Sequence, residues 1–83
     1  MTAPSDTDIE ARVRTILADL FALDPATIGD DTSTDTVEAW DSLQHLTVVL
    51  SIEEEFDIHL DDDDTLAAVT FPLICAVVRD RLG

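Results

Sequence analysis

The first candidate for chemistry in this chain is the hydroxyl of Ser42, which stands where a helix is predicted to begin. Asp41 is a favoured N-cap residue, and Gln44 follows it by three positions. The pair fits a capping box, in which each side chain accepts a free backbone N–H and the Ser42 hydroxyl is left to point outward. Free N–H groups give a helix N-terminus partial positive charge, which favours an attached phosphate. Ser42 is therefore a reasonable attachment site for a phosphodiester.

A different interpretation would make Ser42 a catalytic nucleophile. His45 lies three positions later, close enough for contact, but a nucleophile also needs a base that a third group orients. No G-x-S-x-G motif surrounds Ser42, and a small helical domain offers little room for a substrate pocket. We therefore expect no catalytic residue and no enzymatic activity. His45 is predicted to be packed or half-buried, and His59 to lie on the surface.

The acidic runs raise a calcium site as a further alternative. An EF-hand loop needs spaced oxygen ligands, a glycine at position 6 and a glutamate at position 12. In the frame that begins at Asp31, Ser33 and Asp35 fit the ligand positions. Thr36 stands at the glycine position, however, and Ser42 at the glutamate position. We expect no dedicated metal site.

Cys75 and Trp40 are predicted to serve packing rather than chemistry. Cys75 lies among apolar residues of the last predicted helix, where a thiol usually packs in the core. Trp40 is expected to pack so that it fixes the chain just before Ser42, and a contact with cargo or a partner stays open as a second role.

The charge of the chain narrows the class of partner. Nineteen acidic residues stand against four basic ones, all arginine, which gives a net charge of −15 over 83 residues. This argues against nucleic acid and anionic membranes, since both are bound through Lys and Arg, and it favours partners with basic surfaces. No apolar run reaches membrane-spanning length, and no secretory signal opens the chain. The single Cys75 fits a reducing compartment, so we expect a cytoplasmic monomer.

Apolar residues recur at helical spacing along most of the chain, which predicts an all-α fold. The clearest stripe comprises Ile9, Val13, Ile16, Leu17, Leu20 and Phe21. After it, Pro25 and a polar run predict a long loop, with Leu23, Ile28 and Val37 as its anchors to the core. The expected single domain has a flexible lead-in at 1–5, a helix from near Thr7 to near Ala22, a loop at 23–41, a helix at 42–56, a short helix near 62–69 and a last helix after Thr70. This is a small four-helix bundle of three main helices and one short one.

The helix that begins at Ser42 carries two apolar stripes. One arc is predicted to face the core and contains Val48, Val49, Ile52 and Phe56. The second arc lies roughly opposite and contains Leu43, Leu46 and Leu50. A surface helix needs only one such stripe, so the second indicates either burial on both sides or a docking face, and we favour docking. The predicted docking face comprises Leu43, Leu46, Thr47, Leu50, Glu53 and Glu54.

The sequence Asp41-Ser42-Leu43, the helix after it and its acidic end at Glu53-Glu54-Glu55-Phe56-Asp57 resemble acyl carrier proteins and related phosphopantetheine-carrying domains. The resemblance covers nearly the whole chain and extends to Trp40, the length and the acidity. It implies a carrier domain in which a phosphopantetheinyl transferase moves 4′-phosphopantetheine from coenzyme A to Ser42, with Asp41 as the cap beside the site. The thiol of the arm would hold an acyl or aminoacyl thioester, and partner enzymes with basic patches would dock on the second helix.

Two positions depart from the pattern that this resemblance implies. Carriers of ordinary fatty-acid synthesis usually have acids where this chain has Gln44 and Thr47. A neutral docking helix weakens recognition by generic synthase partners. Together with Trp40, this favours a stand-alone carrier for a specialised lipid or polyketide-like pathway. An aminoacyl or peptidyl carrier, an unmodified acidic interaction module and a small cation-binding protein are the alternatives.

Overall fold

A computed structural model describes residues 4–83, and this part of the chain is all-α, as predicted. Four α-helices and one 3-10 turn follow in order: α1 Asp6–Phe21, the 3-10 turn Pro25–Thr27, α2 Ser42–Phe56, α3 Asp62–Ala67 and α4 Phe71–Leu82. The only β-type pairing among the described residues is an isolated bridge between Ser33 and Thr70. The chain therefore has the predicted bundle of three main helices and one short one.

Helix α1 begins at Asp6, next to the predicted start near Thr7, because Ser5 is its N-cap. The Ser5 hydroxyl accepts a hydrogen bond from the backbone N–H of Asp8 at 3.2 Å. Residues 1–3 of the predicted lead-in lie outside the described part of the chain, and Ser5 itself belongs to the start of the helix. The helix ends at Phe21, and its C-cap Ala22 adopts a left-handed conformation with φ 54°. Between these ends, α1 buries Ile9, Val13, Leu17 and Ala18.

The long connection between α1 and α2 is fastened to the rest of the fold in the middle of its length. Ile28 is buried, while Leu23 and Val37 pack half-buried against the core, so the three predicted anchors are confirmed. The connection also pairs with the linker before α4 by two backbone bonds, which the sequence did not suggest. Thr34 N–H donates to Val69 at 3.1 Å, and the N–H of the first α4 residue donates to Thr32 at 2.9 Å. The loop that leads to α2 is therefore held both by its apolar anchors in the core and by these backbone bonds to the residues at the start of α4.

Helices α1, α2 and α4 enclose the core, which also includes Trp40, Leu60 and Ala68 from the connections. The predicted inner arc of α2 is confirmed, because its four residues Val48, Val49, Ile52 and Phe56 are all buried. Cys75 of α4 is also buried, as predicted, and its burial raises the pKa of the thiol to about 11. Thr70 caps α4 as expected, since its hydroxyl accepts from Leu73 N–H at 3.1 Å.

Helix α3 is shorter than predicted and ends at Ala67 rather than near Val69. Val69 instead takes part in the pairing with the long connection. Asp61 and Asp64 form a complete capping box at its start, and both carboxylates contact Arg81 of α4, at 3.0 Å and 2.6 Å. The backbone N–H of Asp64 and, to a lesser extent, the Arg81 cation hold the pKa of Asp61 below its ordinary value. None of the six residues of α3 is buried, so polar contacts do much to hold this helix.

No helix within residues 4–83 combines the length and the apolar character that a crossing of a membrane requires. In the same residues, no three His, Cys, Asp or Glu side chains come together in a way that could hold a metal ion.

Candidate functional site

Ser42 is the first residue of α2, and its side chain is exposed. The N-cap is Asp41, whose carboxylate accepts from the backbone N–H of Gln44 at 2.8 Å. Among the residues that the structure describes, none takes up the Ser42 hydroxyl in a hydrogen bond. The predicted capping box is only half formed, because the Gln44 side chain does not return a bond to Asp41. The full box is not required, however, because the Asp41 carboxylate accepts the capping bond from Gln44 N–H and the Ser42 hydroxyl is not needed as a cap.

Trp40 fixes the approach of the chain to this tip. Its side chain is buried, and its ring stacks on Phe21 of α1 with 5.6 Å between centroids. Its backbone N–H donates to Val37 at 3.0 Å. The prediction that Trp40 packs to fix the end of the loop is confirmed. Because Trp40 lies two residues before Ser42, its packing also holds the start of α2 in place.

His45 lies one turn into α2 and is half-buried, as predicted, but its contacts were not foreseen. Its Nδ1 accepts from the indole N–H of Trp40 at 3.0 Å, and its Nε2 lies 2.7 Å from the carbonyl oxygen of Thr65 in α3. An indole nitrogen can only donate, so Nδ1 must accept and the ring proton must sit on Nε2. Both ring nitrogens are therefore engaged away from the Ser42 hydroxyl.

A cavity of about 500 Å³ opens beside Ser42. It lies between the long connection, the start of α2, and α3 with the linker after it. Its lining residues are Thr34, Trp40, Asp41, Ser42, His45, Leu66 and Val69. The lining exposes more apolar than polar surface. A group attached at Ser42 would therefore find an apolar recess within reach.

The second stripe of α2 lies on the surface. Leu43, Leu46 and Leu50 are 71%, 56% and 61% exposed, which rules out burial on both sides of the helix. Thr47 is exposed beside them, and so is Glu54. Leu66 of α3, which lines the cavity, is 75% exposed. The apolar surface around Ser42 therefore extends from α2 onto α3, an extension that the sequence pattern of α2 alone could not reveal.

Glu53, which the sequence analysis placed on the predicted docking face, also has a contact within the molecule. Its carboxylate accepts from the backbone N–H of Leu60 at 2.9 Å and lies 3.2 Å from Nδ1 of His59. The Glu53 side chain is only 21% exposed, whereas that of His59 is 88% exposed, which confirms the prediction for His59. Glu53 thus ties the end of α2 to the segment before α3. Its neighbour Glu54 is exposed and makes no such bond.

All four arginines are used within the molecule. Arg12 bonds Glu55 at 2.9 Å, Arg79 pairs with Asp6 at 3.3 Å, and Arg81 joins α4 to α3. The fourth, Arg14, donates to a backbone carbonyl at 3.2 Å and lies over an aromatic ring of α4. Because the chain has no lysine, the remaining charge that it presents to a partner is acidic.

The comparison with known families agrees with this geometry. The family described as "Phosphopantetheine attachment site" matches residues 11–78, which include α2 and the cavity beside Ser42. The chain belongs to this family, whose cofactor is the covalently held 4′-phosphopantetheine arm.

The chain is also similar to a protein named acyl carrier protein from Phenylobacterium zucineum (strain HLK1). The two are 32% identical over 76 residues, which cover 92% of this chain and 96% of the relative. This chain is therefore a carrier domain of the acyl-carrier type, and such a domain interacts with a phosphopantetheinyl transferase and with biosynthetic enzymes.

Proposed function

We propose that Ser42 is the residue to which 4′-phosphopantetheine is attached, and that the chain presents an acyl group to partner enzymes as a thioester on that arm. The observation that supports this most directly is the exposed Ser42 hydroxyl at the first position of α2, left free because Asp41 does the capping. In the transfer, the Ser42 oxygen forms the ester bond to phosphorus and gives up its proton. The pyrophosphate linkage of coenzyme A breaks, and its nucleotide part leaves.

The start of α2 suits the product of that reaction. The first backbone bond of the helix runs from His45 N–H to Asp41 C=O, so the N–H groups of Ser42 and Leu43 precede it and have no partner within the helix. A phosphodiester on Ser42 would lie next to these donors and at the positive end of the helix dipole. An exposed anion in that position is stabilised by about 0.3–1 kcal/mol.

The chain's own residues support a carrier role rather than catalysis. His45, the candidate base three residues after Ser42, has both ring nitrogens bonded to Trp40 and Thr65. A free Ser42 hydroxyl without a base is a poor nucleophile by itself. The transferase and the partner enzymes would therefore supply the catalytic groups, while this chain supplies the attachment point and a recognisable surface.

We infer that partners dock on the exposed stripe Leu43, Leu46 and Leu50, with Thr47 and Glu54 beside it. The apolar side chains would bury on contact, and acidic groups around them would steer partners with basic surfaces. Glu53 contributes less than the sequence indicated, because its carboxylate is occupied by Leu60. The same exposed stripe gives this surface a more apolar character than an acid-lined helix would have.

Gln44 and Thr47 leave the first half of α2 without acidic side chains after Asp41. This favours a specialised lipid or polyketide-like pathway over generic fatty-acid synthesis, because specificity between partners depends on such charges. A cytoplasmic location is part of the proposal, supported by the free thiol of Cys75. The alternative cargo is an aminoacyl or peptidyl group, which the same attachment chemistry would carry.

Mass spectrometry after incubation with coenzyme A and a broad-range phosphopantetheinyl transferase tests the proposal. The expected result is one added phosphopantetheine on the chain, lost in Ser42→Ala and retained in Ser51→Ala, a matched serine variant in the same helix. A chain that folds but remains unmodified would instead support an interaction module with this fold. Loading assays with acyl and aminoacyl donors would then separate the two cargo classes.

A further inference from the structure

Helix α3 forms one wall of the cavity beside Ser42, yet its own packing is weak. Its six residues include none that is buried. On one side, Asp61 and Asp64 bind Arg81 of α4. On the other side, the contact toward α2 is the 2.7 Å bond between His45 Nε2 and Thr65 C=O. Among the hydrogen bonds of residues 4–83, this is the one that joins the helix that carries Ser42 to the helix across the cavity.

His45 is itself held in position by Trp40. The indole N–H fixes which ring nitrogen accepts, so Nε2 carries the proton and donates to Thr65. Trp40 is in turn fixed by stacking on Phe21 of α1. The result is a continuous series of contacts from α1 through the end of the long connection and α2 to α3.

The same residues line the cavity. Trp40, His45 and Ser42 form one side, and Leu66 and Val69 lie on the side of α3 and its linker. Thr65, which receives the bond from His45, directly precedes Leu66. The His45–Thr65 bond therefore joins the two walls at the edge of the recess that an attached arm would meet.

We propose that His45 is a positioning residue that latches α3 to the start of α2 and so sets the width of the cavity beside Ser42. When the latch is closed, Leu66 and Val69 stay opposite Ser42. When it is open, α3 keeps its bonds to Arg81 but separates from α2. The role of the cavity in shielding an arm rests on the proposed function; the latch itself is a property of the unmodified chain.

Amide hydrogen exchange on the unmodified chain tests the latch with a matched pair of variants. The chain has two histidines, so His45→Phe can be compared with His59→Phe, which alters an exposed ring outside the cavity. His45→Phe keeps a flat ring and removes both bonds. We expect the amides of Leu66, Ala67 and the C-cap Ala68 at the end of α3 to exchange about tenfold faster, as loss of one or two hydrogen bonds predicts. The buried α1 amides in the same variant are expected to change much less, and His59→Phe is expected to leave α3 unchanged.

A spectroscopic signal reports the same contact without relying on stability. Trp40 is the only tryptophan, so the chain gives a single indole N–H resonance. This resonance is expected to move and to exchange faster with water in His45→Phe, and to stay in place in His59→Phe. A third variant, His45→Gln, retains an amide donor for Thr65. It is expected to restore protection of α3, and it also serves if His45→Phe fails to fold.

The proposal is overturned if α3 and α1 amides accelerate by the same factor, if the indole resonance does not respond to His45→Phe, or if His45→Gln leaves α3 as exposed as His45→Phe does. None of these measurements requires a modified Ser42. An unmodified chain in the mass-spectrometric experiment would therefore refute the proposed function without affecting the proposal for His45. Failure of the hydrogen-exchange test would refute the role of His45 without affecting the proposed function.

Discussion

In the unaltered chain, Asp41 caps α2 and the Ser42 hydroxyl is therefore free. Replacing Asp41 with alanine removes this capping bond. The bond runs from Gln44 N–H to the Asp41 carboxylate at 2.8 Å, in an exposed position. Loss of an N-cap of this kind destabilises a protein by about 0.5–2 kcal/mol, most often ~1 kcal/mol. For a domain of roughly 60–100 residues, 1 kcal/mol lowers the Tm by about 4–8 °C. We therefore expect Asp41→Ala to melt several degrees below the unaltered chain.

Asp41→Asn is the matched control for this prediction. Asparagine caps helices about as well as aspartate, so its Tm should stay close to that of the unaltered chain, while the charge is removed. Thermal unfolding followed by circular dichroism at equal ionic strength measures both variants. An Asp41→Ala variant that melts with the unaltered chain, or an Asp41→Asn variant that melts as low as Asp41→Ala, would refute the assignment of Asp41 as the cap.

The same pair of variants separates capping from modification. Without Asp41, the Ser42 hydroxyl becomes the nearest side chain able to cap the helix, by accepting from His45 N–H three residues later. It would then no longer be free. We expect transfer of phosphopantetheine to Asp41→Ala to be slower than transfer to Asp41→Asn. Equal rates for the two variants would show that a free hydroxyl is not what the cap provides.

Three further predictions concern α3, the core thiol and the docking helix. The pKa of Asp61 is lowered in the folded chain, so the ionised carboxylate stabilises the fold above the ordinary aspartate pKa of about 4. This stabilisation is lost as the pH falls through the pKa of Asp61 in the folded chain. Acid unfolding of Asp61→Asn should lack this part of the pH dependence. The thiol of Cys75, with its pKa raised to about 11 by burial, should resist a thiol reagent at pH 8 in the folded chain and react once the chain is unfolded in urea, and rapid labelling of the folded chain would contradict this. Introducing glutamate at Gln44 and Thr47 should raise the rate of loading by a fatty-acid synthase transacylase, and an unchanged rate would count against the proposed pathway preference.

The helices of this fold could be predicted because each has a strong local signal. Neighbouring residues alone indicate the apolar period of α1, the Asp41 cap of α2 and the Thr70 cap of α4. The end of α3 could not be placed in this way. Val69 looks like a helical residue in sequence, but its carbonyl pairs with Thr34 of the long connection. A contact between residues so far apart in sequence leaves no local pattern.

The candidate site likewise combines features that neighbouring residues predict with contacts that only the fold brings about. The exposed Ser42 and the exposed leucine stripe follow from capping preference and from helical periodicity. The bonds of His45 to Trp40 and to Thr65 depend on how α3 is placed, so no spacing in the sequence indicates them. The contact of Glu53 could not be predicted for a related reason. In sequence Glu53 resembles the neighbouring Glu54, but the chain after α2 turns back and brings Leu60 N–H to the Glu53 carboxylate.

Localising the phosphopantetheine group decides whether Ser42 is the attachment residue. The chain is incubated with coenzyme A and a transferase, digested, and its peptides are examined by tandem mass spectrometry. The expected result is a modification on Ser42 and on no other serine, absent from Ser42→Ala and present in Ser51→Ala. A modification at another residue, or a folded chain that is never modified, would contradict the account.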